Sequence, residues 1–175
     1  MQKECRSPGL KALNPGDRQL TKKIMKIYQQ IYSYQSQRRF EFRDITEIVK
    51  EIVKKSKVKD GQVLIYSPHT TLAIKVNEKE KGIFSDFAKF AEKILPRKAY
   101  YCHNDLKIRT ENIVCSVGAT DCLNGDSHCL HLLMNTSENL IINKGELLLG
   151  TWQRIFAIEL DDKRKRQVYI QVMGE

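Results

Sequence analysis

The chain has 175 residues, enough for one domain with its own core and short for two of ordinary size. With 41% apolar and 29% charged residues, global disorder and fibrous repeats are excluded. No stretch approaches the roughly 18 uninterrupted apolar residues of a spanning helix, and no signal-peptide-like run opens the chain. The expectation is therefore no membrane contact and a cytoplasmic location.

The net charge of +9 invites a nucleic-acid reading, but its location tempers it. Residues 1–23 carry six basic side chains against Glu4 and Asp17, in a segment punctuated by Pro and Gly without periodicity. Residues 1–25 are therefore expected to form a loose basic arm ahead of a domain spanning 26–175, and nucleic acid is not the expected partner. Lys54, Lys55, Lys57 and Lys59 fall at the C-terminal end of a predicted helix, where cations complement the macrodipole. A basic rim would also attract phosphorylated or otherwise anionic small molecules.

In chain order, Lys26–Tyr34 and Arg39–Phe42 read as strand. Ile45, Ile48, Val49, Ile52 and Val53 follow helical spacing, with Asp44 and Glu47 spaced as a capping box. Val63–Tyr66 reads as a strand buried on both faces, and Leu72, Ile74 and Val76 alternate as a second strand. A second helix covers about Ile83–Leu95 and stops at Pro96. Tyr100–Leu130 is irregular, which in a compact domain points to function. Leu140–Ile142 and Glu146–Leu149 flank a turn at Asn143-Lys144-Gly145, and Ile155–Leu160 with Arg166–Val172 form a predicted hairpin about Asp161–Arg164. The sum is an α+β domain, two main helices and about seven strands in a mostly antiparallel sheet or sandwich.

Five cysteines without a secretion signal argue against a disulfide framework. Three of the four histidines, His69, His103 and His128, fall on separate predicted loops, which suggests convergence. Convergent imidazoles hold a borderline metal such as zinc or hold and protonate an anion. A competing metal set, Cys115, Cys122, His128 and His131, lacks the tight spacing of structural zinc knuckles. Trp152, beside Thr151 and Gln153, offers an aromatic face to a planar ring, or serves the core. Dinucleotide, P-loop, zinc-protease and serine-hydrolase motifs are absent.

Taken in order, Asp44-Ile45-Thr46, His69-Thr70-Thr71, Asn77-Glu78, His103-Asn104-Asp105, Asn124-Gly125 with His128, and Gly150-Thr151-Trp152-Gln153 resemble the YjbQ (UPF0047) family, also called the secondary thiamine-phosphate synthase family. The resemblance runs from about residue 26 to the C-terminus. It implies a compact β-rich α+β fold, a homotrimer, and a polar pocket in which His69, His103 and His128 hold a divalent metal or an oxyanion. Glu78 joins them as a catalytic candidate, while Thr70, Thr71, Asn77, Asp105, Asn124, Trp152 and Gln153 are substrate-binding candidates. Glu78 or Asp105 would orient a histidine. The resemblance also implies a secondary activity joining a pyrimidine pyrophosphate to a thiazole phosphate, giving thiamine phosphate and pyrophosphate. Arg109-Thr110-Glu111-Asn112 looks like a feature of one subgroup. The alternatives are a non-catalytic metal- or anion-binding protein, nucleic-acid binding through the arm, and histidines that only cement the trimer.

Overall fold

The computed structural model describes residues 24–113 and 123–175. The arm, Cys115 and Cys122 lie outside the described residues, apart from the arm's last two positions. Two antiparallel sheets carry the fold. The larger has β1 (Lys26–Gln35), β8 (Lys165–Gly174), β3 (Gly61–Tyr66), β5 (Ser137–Asn143) and β6 (Glu146–Leu147) in that order. The smaller has β2 (Phe42–Asp44), β7 (Gln153–Glu159) and β4 (Leu72–Glu78). Among the described residues three α-helices join them, α1 (Thr46–Ser56), α2 (Lys81–Ile94) and α3 (Gly125–His131).

β7 explains the layering. Its Ile155 and Ala157 point into one core with the inner face of the larger sheet and the apolar stripe of α1, Val49, Ile52 and Val53. Its Phe156 and Ile158 point the other way, into a second core with Phe84, Phe87 and Ala91 of α2 and Leu130 of α3. A strand buried on both faces reads as a continuous apolar run, as Ile155–Ile158 does. β8 instead alternates, with Val168, Ile170 and Val172 buried and Gln167, Tyr169 and Gln171 facing out.

That difference corrects the expected hairpin. β7 and β8 belong to different sheets, and Asp161–Arg164 is a crossing between them. The crossing is pinned to the end of β1, where Ser36 N–H donates to the Arg164 carbonyl at 2.9 Å and Arg164 N–H donates to Ser36 Oγ at 2.8 Å. β3 is also not buried on both faces: Val63 and Ile65 are buried, while Tyr66 lies on the open side of the larger sheet. At the start of α1 no capping box forms. Asp44 Oδ1 instead accepts from Thr46 N–H at 3.0 Å and from Thr46 Oγ1 at 2.6 Å. Phe40 sits in a turn with φ of 53°, so the strand begins only at Phe42. Among the described residues no helix is long and apolar enough to cross a membrane.

Candidate functional site

The irregular stretch after α2 folds back on α3. A short 3-10 turn, Cys102–Asn104, lies against the first turn of that helix, and Asn104 Oδ1 accepts from Gly125 N–H at 2.8 Å. The approach needs glycine: a Cβ on Gly125 would come within 2.7 Å of Tyr101 Cβ and 3.1 Å of His103 Cβ. The result is that His103 and His128 meet, with ring centroids 4.6 Å apart. They open on a cavity of about 830 Å³ bordered also by Thr70, Cys102, Arg109 and Glu111.

Arg109 is held by backbone carbonyls. It donates to the carbonyls of His103 at 3.1 Å, Glu111 at 3.2 Å and Asn112 at 2.9 Å, and its Nη1 lies 3.1 Å from His103 Nε2. Among the described residues it has no ion-pair partner, and it borders the cavity together with Glu111. On the other side, Asn124 Oδ1 lies 3.2 Å from the same Nε2, while Asn124 Nδ2 donates to Asp161 at 2.7 Å. Asp161 is 3% exposed and also accepts from Arg164 at 2.7 Å. Burial, then the neighbouring His103 and Arg109, hold His128 below the ordinary imidazole range, against the opposing pull of Asp161. That shift favours the neutral imidazole, the form that can take a proton.

α3 itself is anchored from below. Asp126 pairs with Arg39, whose guanidinium also stacks on Phe40 with 4.6 Å to the ring centroid, and Ser127 Oγ donates to the Leu160 carbonyl at 2.7 Å.

His69 does not join the pair within one chain. Its Nε2 accepts from Gln167 N–H at 3.0 Å, in a separate cavity of about 530 Å³ with Tyr34 and Arg166. Burial and the charge of Arg166 hold its pKa below the ordinary value. Thr70 reaches the histidine cavity, but Thr71 turns inward to accept from Arg166 at 2.9 Å; Arg166 is itself paired with the buried Glu159. Asp105 does not orient a histidine: it accepts from Lys107 N–H at 3.0 Å and from Tyr100 Oη at 3.1 Å. Asn77 and Glu78 end β4 at the far end from Thr71, roughly 20 Å away by strand rise. Glu78 lies opposite Gln153, Gln153 accepts from Gly150 N–H at 2.8 Å, and Trp152 is 72% exposed. The indole is thus not in the core.

Among the described residues no three His, Cys, Asp or Glu side chains are grouped to hold a metal ion. His69 lies in a different cavity from His103 and His128, so within one chain the three histidines are not brought together. Arg109 and Asp161 were not among the candidates. The signals for them were faint: Arg109 lies in an aperiodic stretch, and Asp161 looks like a turn residue.

A two-sheet α+β sandwich carrying a paired-histidine cavity at the 3-10 turn and α3 defines a compact single-domain class. The chain belongs to the YjbQ (UPF0047) family: the family model described as UPF0047 protein YjbQ-like matches residues 30–175. A UPF0047 protein of Methanocaldococcus jannaschii is 32% identical over 86% of this chain and 99% of its own length. One from Archaeoglobus fulgidus is 35% identical, over 78% and 94%. The fold is shared with a crystal structure described as a YbjQ-like protein from Sulfolobus solfataricus, with TM-score 0.75, 30% identity, and coverage of 87% of this chain and 100% of that one.

Proposed function

We propose that this protein is an enzyme acting on a phosphorylated small molecule bound between His103, His128 and Arg109. The observation that carries this reading is the meeting of a guanidinium with two imidazoles in one open cavity. Arg109 suits a phosphate oxygen because backbone carbonyls fix its positive charge at the cavity, and His128 suits proton transfer. In the condensation that the family resemblance suggests as a secondary activity, the thiazole nitrogen attacks the pyrimidine methylene carbon. The carbon–oxygen bond breaks, and pyrophosphate leaves with the electron pair. Such a step needs charge stabilisation on the leaving group more than a strong base, and Arg109 would supply that charge. No step is assigned to a metal.

We infer further that the working unit is a homotrimer. The outward side chains of the larger sheet support self-association. Ile27, Ile31, Leu64, Tyr66, Tyr169 and Ile141 are interleaved with glutamines, and the only charged members are Lys165 and Glu146 at the corners. Trimerisation would also give Asn77, Glu78, Trp152 and Gln153 a role, since a neighbour's copy of that end could reach a histidine cavity that their own chain keeps at a distance.

The test is turnover of the pyrimidine pyrophosphate with the thiazole phosphate, followed by ³¹P NMR, with wild type, Arg109→Gln and His128→Asn. Pyrophosphate release that falls by roughly tenfold or more in both variants supports the reading. Binding of the thiazole phosphate without turnover would favour the non-catalytic alternative, and no binding at all would overturn both.

A further inference from the structure

Four lysines border a second cavity, of about 560 Å³, that shares no residue with the histidine cavity. Lys50 and Lys54 stand one turn apart on α1, Lys59 follows on the turn into β3, and Lys144 comes from the β5–β6 hairpin. The macrodipole accounts for lysines at the end of α1. It does not account for Lys144, which arrives from a different part of the chain.

The two turns are latched together. Lys144 and Gly145 have φ of 54° and 83°, the pair of left-handed residues a two-residue type I′ hairpin requires. Gly145 N–H donates to the Lys59 carbonyl at 2.8 Å, and Lys144 N–H donates to Asp60 Oδ1 at 3.3 Å. The Lys59 side chain lies across the hairpin, so that a Cβ on Gly145 would be 3.4 Å from its Nζ. Backbone bonds thus hold Lys59 and Lys144 on one rim. Lys50 pairs with Glu47 at 3.3 Å, but Lys54, Lys59 and Lys144 have no ion-pair partner among the described residues. Among the described residues that line the cavity, Glu146 is the only carboxylate. Converging ammonium groups repel one another, and a multiply charged anion between them relieves that repulsion.

We propose that this cavity is a binding site for a compact phosphoanhydride, either free pyrophosphate or the diphosphate of a nucleotide. Lysines bind phosphate as point charges. Ammonium groups presented by three separate segments match an anion whose charge is spread over two phosphates better than they match one. The volume falls within the usual range for small-molecule sites.

The experiment is calorimetric titration of the full chain with inorganic pyrophosphate, ADP and orthophosphate at low salt. It is carried out in the Arg109→Gln background so that the histidine cavity does not contribute. Pyrophosphate or ADP should bind saturably and more tightly than orthophosphate. Lys59→Gln with Lys144→Gln should weaken that binding by about tenfold or more, the scale of a lost charged contact. Lys89→Gln with Lys93→Gln, the same loss of charge on exposed α2, should leave it unchanged. Equal binding of pyrophosphate and ADP identifies the anhydride alone as the ligand; tighter ADP identifies a nucleotide. Absence of saturable binding, or an equal loss in the α2 variant, overturns the proposal. Neither outcome bears on turnover at His103 and His128.

Discussion

Asn124 faces its side-chain carbonyl to His103 Nε2 at 3.2 Å while its amide donates to buried Asp161 at 2.7 Å. Because Asp161 accepts only, the amide cannot flip, and the carbonyl must point at the imidazole. A protonated Nε2 donates to Asn124, and an unprotonated one accepts from Arg109 on its other side. His103 thus has a partner waiting in either state. Replacing Asn124 by Asp places a second carboxylate against Asp161. We expect Asn124→Asp to be less stable than Asn124→Ala at pH 7, by roughly 1–3 kcal/mol in urea unfolding, because two buried carboxylates cannot both ionise at that distance. Equal urea midpoints would remove Asn124 from this role.

The His128 imidazole should respond to its neighbours in a defined direction. Burial lowers its pKa first, and the adjacent His103 and Arg109 add to the effect. In an NMR titration of the imidazole carbon-bound protons, Arg109→Gln should move the His128 midpoint upward, toward the ordinary value near 6.5. Asp161→Asn should move it down, since that carboxylate pulls the other way. A midpoint indifferent to both would mean that Arg109 does not address the cavity.

Much of the scaffold was legible because period reports environment. α1 and α2 announce themselves by helical spacing, and β8 by alternation. What was not legible depends on contacts distant in sequence. α3 has seven residues, too few for a periodic signal, and its place is set by Arg39, Asn104 and Leu160 from three other segments. The division of β7 and β8 between sheets is written in the continuous run of one and the alternation of the other, which the short Asp161–Arg164 link obscures. At the candidate site, two of the three histidines that the sequence puts on separate loops, His103 and His128, lie ring against ring. The partner expected to orient a histidine was Asp105 or Glu78, whereas the one in place is Asn124. A hydrogen bond between residues 21 positions apart leaves no local pattern to find.

Gly125 tests whether the histidine pair is preorganised. A methyl group there would force Tyr101 and the 102–104 turn outward from α3. Gly125→Ala should cost about 1–3 kcal/mol, as overpacking does, even though alanine favours helix. It should also weaken binding of the thiazole phosphate, because His103 moves with the turn. Unchanged stability and binding would mean that the turn yields without cost.

Acid should destabilise the fold through its histidines. His69, His128 and His131 are all held below the ordinary imidazole pKa, and burial is the largest cause in each. Below about pH 6.5 the unfolded chain therefore binds more protons than the native one, and stability falls as pH drops from there toward the lowered native values. His131 is 8% exposed, and among the described residues its Nε2 has no hydrogen-bond partner. Melting temperature should fall between pH 7.5 and 5.5, and His131→Gln should flatten the slope. A steeper slope in that variant would contradict the assignment.

The open face of the larger sheet carries the last expectation. Ile27 is 66% exposed, Ile31 48% and Ile141 59%, and the Tyr66 and Tyr169 rings lie 6.5 Å apart beside them. A chain of net charge +9 that keeps charge off most of one five-stranded face leaves a surface with little to keep it in water. Another copy offers the same uncharged surface, so self-association costs no charge desolvation. Light scattering after size exclusion should give three times the chain mass for the wild type. Ile31→Lys with Tyr66→Lys should give the single-chain mass, because lysines at the centre of such a contact bury unpaired charge. Both substitutions point away from the core, so the monomer should retain its far-UV circular dichroism. A wild type that is monomeric at micromolar concentration would leave Asn77, Glu78, Trp152 and Gln153 without a route to the histidine cavity.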